Sequence, residues 1–306
     1  MHAWAPGRRS WERALTAAGI DDPALRAAYT RQRAVVAGYR RHAYLAVRLL
    51  LPPALVPHAI AATAFMHHTD NLLDRGPDAA GDWPAWEARV RAGLAGAEDG
   101  HPVVAPLLRT VAAHPPLRGH VEDFLAGAPL ERDTTGFATE ADYRKYVDAY
   151  ALPAFMTIAG LLLAPEADPD ASREVCRTYI DGSQRLDFVN DLSEDLRDGR
   201  LGLSEEALAR YGVTRAALER GRDAPGVRGL LRDQLLQARR DLLAARRLVA
   251  FAPPGHRAFT RAVIALETLT AGAALAAGTA VLRHPVRPPL PGALAVLLRE
   301  YRRRGR

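Results

Sequence analysis

Gln184-Arg185-Leu186-Asp187-Phe188-Val189-Asn190-Asp191-Leu192-Ser193-Glu194-Asp195 carries carboxylates at i, i+4 and i+8, namely Asp187, Asp191 and Asp195. On a helix turning about 100° per residue, the three fall within about 80° of the circumference, one above another. Like charges stacked this way destabilise an isolated helix. Without cations the arrangement is a cost with no visible return, and hard divalent ions supply the return: magnesium takes carboxylate oxygens together with substrate phosphate oxygens.

The pattern has a counterpart earlier in the chain, His67-His68-Thr69-Asp70-Asn71-Leu72-Leu73-Asp74. Asp70 and Asp74 leave one helix face about 6 Å apart along the axis, and His67 joins that face one turn earlier. Acidic pairs on surface helices usually sit against Lys or Arg, whereas the neighbours here are Phe65, Met66, Leu72 and Leu73. Either run alone reads equally well as a solvated acidic face. Together, 113 positions apart (Asp187 against Asp74) and each beside apolar residues, they point to two helices gripping one diphosphate through shared metal ions.

The rest of the chain is helical in period. Leu231, Leu235, Leu242 and Val249, with charges between them, describe an amphipathic helix. Val56–Leu73, Tyr143–Leu163, Ala171–Arg197 and Ala258–Leu282 each read as a helix between Pro, Gly or Asp punctuation. No strand and no βαβ alternation is apparent, so an all-α fold is expected and a doubly wound one excluded. Residues 1–306 are expected to form a single domain, with a core over about 29–282 and a solvated basic tail over 293–306, where Arg299, Arg302, Arg303, Arg304 and Arg306 cluster.

Apolar residues make 48% of the 306 and charged residues 25%, the balance of a globular protein. One cysteine, Cys176, leaves no disulfide framework, and no apolar leader is read after Met1, so a reducing cytoplasm is expected. Ala262–Leu282 is nearly long enough to span a bilayer but contains Glu267, and reads as a cavity wall without stable membrane insertion. The formal charge of +6 (41 basic against 35 acidic) comes almost wholly from scattered arginines, Lys145 being the one lysine. Charge alone would allow a basic helical nucleic-acid-binding protein; the scatter argues against that partner.

The residues resemble the squalene/phytoene synthase family over roughly Tyr29 to Leu282. Tyr44 to Pro52 is similar to the family's opening helix. Asp70 and Asp74 match its first aspartate motif, and Phe124–Thr139 with Tyr146–Gly160 match the approach to its central helix and that helix. Gln184–Asp195, followed by Asp198-Gly199-Arg200, is the strongest match. The resemblance implies an isoprenoid-synthase helical bundle around a central cavity, a prenyl diphosphate substrate, and about two or three magnesium ions bridging both motifs. It further implies Asp70, Asp74, Asp187, Asp191 and Asp195 as metal ligands, and Arg48, Lys145, Arg197 and Arg200 as contacts to the diphosphate. Phe155, Met156 and Phe188 would wall the cavity, with Tyr146, Tyr150 and Gln184 lining it.

Departures from the family pattern bear on the acceptor. His67, Gly136 and Asn190 stand where arginines are usual, and loss of a guanidinium removes charge and bidentate geometry together. The expected activity is therefore prenyl transfer to an uncharged, electron-rich acceptor of aromatic, carbazole type, as in squalene-synthase-like enzymes that modify such natural products. His67, His68 or Asp187 would remove the displaced proton. The alternatives are head-to-head coupling of two prenyl diphosphates, or cyclisation of one.

Overall fold

The structure is a computed structural model that describes residues 8–39, 41–73 and 82–304. Asp74, a predicted metal ligand, lies outside the described residues. The chain runs through α1 (Arg8–Ala17), α2 (Pro23–Tyr39), α3 (Arg41–Leu50), α4 (Val56–Leu73), α5 (Asp82–Leu94), α6 (Val104–Ala113), α7 (Leu117–Asp133) and α8 (Glu140–Tyr146). A π-helical turn (Val147–Ala151) leads into α9 (Leu152–Ala159). Then come α10 (Pro169–Asn190), α11 (Leu192–Asp195), α12 (Glu205–Arg210), α13 (Arg215–Glu219), α14 (Pro225–Ala244), α15 (Arg257–Ala277) and α16 (Leu290–Arg303). The described residues contain no strand, and one isolated bridge joins Gly136 to Leu201.

Local chemistry sets several of these boundaries. Asp168 Oδ1 accepts from Ala171 N at 2.7 Å and Pro169 occupies the first turn, which starts α10. Thr139 and Asp142 form a reciprocal capping box at the start of α8. Inside α7, Leu117, Val121, Phe124, Leu125 and Ala128 are buried on one stripe. Each fully buried Leu or Phe of this kind contributes about 2 kcal/mol through lost apolar exposure.

Two buried clusters meet across α9 and α15. One gathers around Tyr29, Ile60, Phe65 and Phe124 of the N-terminal helices; the other gathers around Leu186, Leu230, Leu235 and Leu242 of α10 and α14. Gly127 lets α7 press on the π-turn, since a Cβ there would lie 2.0 Å from the carbonyl oxygen of Ala149. This contact fixes the depth at which the π-turn, and Tyr150 on it, sits against α4.

Three expectations need correction. The core begins well before residue 29, because Trp11 and Leu15 of α1 are buried. Residues 293–303 are no solvated tail: they are helical, and Ala293, Val296, Leu297 and Glu300 are buried. The run from Asp187 to Asp195 is not one helix. α10 ends at Asn190, Asp191 takes φ −96° and ψ 4° as its cap, and α11 resumes at Leu192. The stretch Arg257–Leu282 is long and apolar enough to cross a membrane by length and composition, with 28% of its most apolar window buried.

Candidate active site

The described part of the first acidic segment, His67 to Leu73, lies on α4. Asp70 is half-buried, and Tyr150 Oη donates to its Oδ1 at 2.5 Å, bridging α4 to the π-turn. Tyr146, one turn earlier, stacks obliquely on Tyr150 with ring centroids 5.6 Å apart. A π-turn inserts a residue without breaking the helix and is frequent at functional sites. Burial pushes both phenols well above the usual tyrosine range. The Asp70 carboxylate adds most to this at Tyr150 and Glu131 at Tyr146, so both hydroxyls stay protonated as donors.

Glu131 joins this cluster to the second acidic segment. It is buried on α7, lies against Tyr146, and accepts a hydrogen bond from Arg200 Nη2. Arg200 in turn stands beside Asp195 in the wall of a small hollow of about 10 Å³, lined also by Gly136, Tyr146 and Phe188. The Asp195 carboxyl is pushed up to about 7. Burial is the main cause, opposed by Arg200 and reinforced by the like charges of Asp191, Glu194 and Asp198. Phe188 fills the space between the segments, 5.9 Å from Tyr146 and 5.8 Å from Phe137 by ring centroids. It packs onto Gly202, where a Cβ would lie 2.2 Å from the ring. Asp187, next to Phe188, is half-buried, while Asp191 is exposed at the helix end.

Glu131 was absent from the sequence-based set. The signal for it is the spacing Phe124, Ala128, Glu131, which puts one acid on the apolar stripe of α7.

Several predicted residues lie elsewhere. Lys145 is 78% exposed and pairs with Asp142 at 3.4 Å, because one residue of helix turns it about 100° away from the inward Tyr146. Arg48 donates to Tyr44 Oη at 2.9 Å and to Ser10 Oγ, and lies over the Trp11 ring, tying α3 to α1. Arg197 is exposed and bonds the Ser193 carbonyl at 2.9 Å. His68 points about 200° around α4 from Asp70, into a cluster with Trp86 (4.5 Å) and His101 (5.6 Å). His67 is half-buried and accepts from Asn71 Nδ2 at 3.1 Å. Phe155 stacks on Tyr179 at 4.8 Å in the α9–α10 seam. Met156 lines a separate cleft of about 890 Å³ with His58, His114, His120, Gly160 and His256, at the opposite ends of α4 and α9 from Asp70 and Tyr150. Gln184 is half-buried on α10, one turn before Asp187. Asn190 makes a reciprocal pair of hydrogen bonds with the backbone of Val286, at 2.9 and 2.6 Å.

Among the described residues, no three His, Cys, Asp or Glu side chains gather as a ready metal-ligand set. The donor chemistry nonetheless suits a hard divalent ion. Asp70, Asp187, Asp191 and Asp195 offer carboxylate oxygens alone, and Asp195 lies within reach of the like charges of Asp191, Glu194 and Asp198.

The 15-cis-phytoene synthase of Synechococcus elongatus is 28% identical over 226 residues, 69% of this chain and 72% of that protein. Phytoene synthase 3, chloroplastic, of Zea mays is 29% identical over 232 residues, 71% of this chain, which spans about half (52%) of the plant protein. Among solved structures, a dehydrosqualene synthase in complex with ligand superposes with a TM-score of 0.81 at 17% identity, covering 91% of this chain and 97% of that one. The squalene synthase HpnC from Alicyclobacillus acidocaldarius gives 0.73 at 22% identity, covering 88% and 99%. These two share the all-α isoprenoid-synthase fold. The squalene/phytoene synthase family model, whose members are prenyltransferases, matches residues 36–292, and the chain belongs to that family.

Proposed function

We propose that the chain is a magnesium-dependent synthase that ionises an allylic prenyl diphosphate and couples the prenyl group to a second prenyl diphosphate. The observation that carries the ionisation step is the chain of contacts from Asp70 through Tyr150, Tyr146 and Glu131 to Arg200 beside Asp195, which links both acidic segments. Two relatives of the chain are phytoene synthases, which supports the coupling step.

Asp70, Asp187, Asp191 and Asp195, with Asp74, would hold the metal ions. Bound magnesium supplies Lewis-acid neutralisation of the leaving diphosphate. Arg200 is held by Glu131 and lies beside Asp195, where its guanidinium charge would stabilise an anionic leaving group. Tyr150 steadies Asp70 in one orientation. The rings of Phe188, Tyr146 and Tyr150 exclude water, and their faces can stabilise an allylic cation.

One observation favours the second reading, transfer to an uncharged aromatic acceptor. Gly136, in the wall beside Asp195 and Arg200, brings no cation, and the Asn190 amide is committed to Val286. His67 or Asp187 would then take the proton that the acceptor loses. Incubation with farnesyl or geranylgeranyl diphosphate alone separates the readings. A coupled hydrocarbon or cyclopropyl diphosphate supports the first and rejects the second; the absence of any coupled product rejects the first.

A further inference from the structure

Eight large apolar side chains are exposed among the described residues, and six of them stand on two neighbouring helices. Leu290, Leu294, Leu298 and Tyr301 of α16 are 62%, 57%, 50% and 54% exposed; Leu45 and Leu49 of α3 are 40% and 39% exposed. At about 100° per residue, the four α16 side chains fall within about 80° of its circumference. The arc of α16 that adjoins the stripe on one side is also apolar, and folding uses that arc: Ala293, Val296 and Leu297 are buried. The outer stripe has no such role in the fold.

Charge frames the stripe. Arg302 and Arg304 lie about 40° to either side of it, and both are exposed. Glu300, the one acidic residue of α16, is fully buried and bonded by Arg261 at 2.6 Å, Arg299 at 2.9 Å and Arg303 at 3.3 Å. The outward surface of α16 therefore carries cations and no anion. Arg304 Nη1 also donates to the Leu49 carbonyl at 2.7 Å, which joins the end of α16 to the exposed leucines of α3. On α3, Arg41, Leu45 and Leu49 follow at i, i+4 and i+8, all exposed.

We propose that this face of α3 and α16 seats the protein reversibly on an anionic lipid bilayer. Leu290, Leu294, Leu298 and Tyr301 enter the headgroup boundary, and the flanking arginines reach lipid phosphates. A leucine stripe bordered by arginine is the pattern of a helix lying in the interface plane; at about 21 Å, and bonded to α15 through Glu300 and Arg261, α16 does not span. A second copy of the chain is a poorer occupant, because a two-fold contact through this face would bring two cationic rims together without an acidic partner on either helix. The inference is independent of which acceptor the enzyme uses.

The test is flotation of the full chain with vesicles of phosphatidylcholine alone or mixed with phosphatidylglycerol, at low and high salt, with light scattering on the free protein. Binding to the mixed vesicles at least about tenfold stronger than to neutral ones, weakened by salt, is expected. Leu294→Asp with Leu298→Asp is expected to abolish binding, and Arg302→Glu with Arg304→Glu to reduce it about tenfold or more, with unchanged melting by circular dichroism. If the aspartates lower the melting temperature, Leu294→Ser with Leu298→Ser replaces them. Absence of binding to both vesicle types, or binding indifferent to these substitutions, overturns the proposal. So does a wild-type dimer that the leucine substitutions convert to a monomer.

Discussion

Tyr150 Oη and Asp70 Oδ1 stand 2.5 Å apart, so the first acidic segment is held to the π-turn by a hydrogen bond whose donor is a buried, protonated phenol. Tyr150→Phe keeps the ring packing against Phe124 and Tyr146 and removes the donor. Leaving a partly buried carboxylate without its donor costs about 1–3 kcal/mol. A fall in kcat/KM of roughly 5- to 150-fold, with folding retained, is expected in steady-state assays with magnesium. Unchanged kinetics would show that Asp70 needs no positioning.

Asp195 gives a pH-dependent signature in the metal-free protein. Its carboxyl titrates at about 7 in the folded state, above the ordinary carboxylate value of about 4. Between those values the folded state binds a proton that the unfolded chain releases, so this group's contribution to stability falls as pH rises from 4 to 7. Asp195→Asn removes that loss. With chelator present, the melting temperature of Asp195→Asn minus that of the wild type is expected to be larger at pH 8 than at pH 4; added magnesium should shrink the difference by stabilising the wild type. A difference independent of pH would contradict the shifted carboxyl.

Glu131 is a positioning residue for Arg200. Its side chain is 10% exposed, while the Arg200 side chain is 30% exposed. Removing the charge is therefore expected to cost about 1–3 kcal/mol, between the values for surface and fully buried pairs. Glu131→Gln should lower the melting temperature and raise KM for the prenyl diphosphate more than Glu131→Asp does. Equal kinetics for the two variants would leave Glu131 a purely structural residue.

His58 predicts a loss of stability in acid that belongs to the scaffold and not to the active site. Burial holds its imidazole at about 4, below the ordinary 6.5, with His114 and Arg109 adding to the effect. The unfolded chain takes up a proton between these values and the folded one does not, so this contribution is intact above pH 6.5 and is lost as pH falls toward 4. His58→Gln is expected to flatten the acid limb of a melting-temperature profile; an unaltered limb would contradict it.

Sequence period carried far where a helix is regular. Val56–Leu73 reads as one helix from its mostly apolar opening, and α4 starts at Val56 and is helical through Leu73. The pairing of distant acidic segments was legible because carboxylates at helical spacing without basic partners are costly unless something binds them. Period could not show that α10 stops at Asn190, since Asp191 keeps helical spacing while its backbone turns to ψ 4°. Nor could it tell which face of α4 carries His68, or that Lys145 looks outward beside the inward Tyr146, because those depend on where neighbouring helices dock. The Arg-rich end reads as solvated because charge dominates its composition, although Ala293, Val296 and Leu297 at i, i+3 and i+4 mark a face that packs.

The most direct test of the shared grip is calorimetric titration with a non-hydrolysable prenyl thiodiphosphate, with and without magnesium, for the wild type, Asp70→Asn and Asp195→Asn. Binding is expected to require magnesium and to weaken at least about tenfold in each variant, although the two residues lie on segments far apart in the chain. Magnesium-independent binding, or full affinity in either variant, would contradict the account.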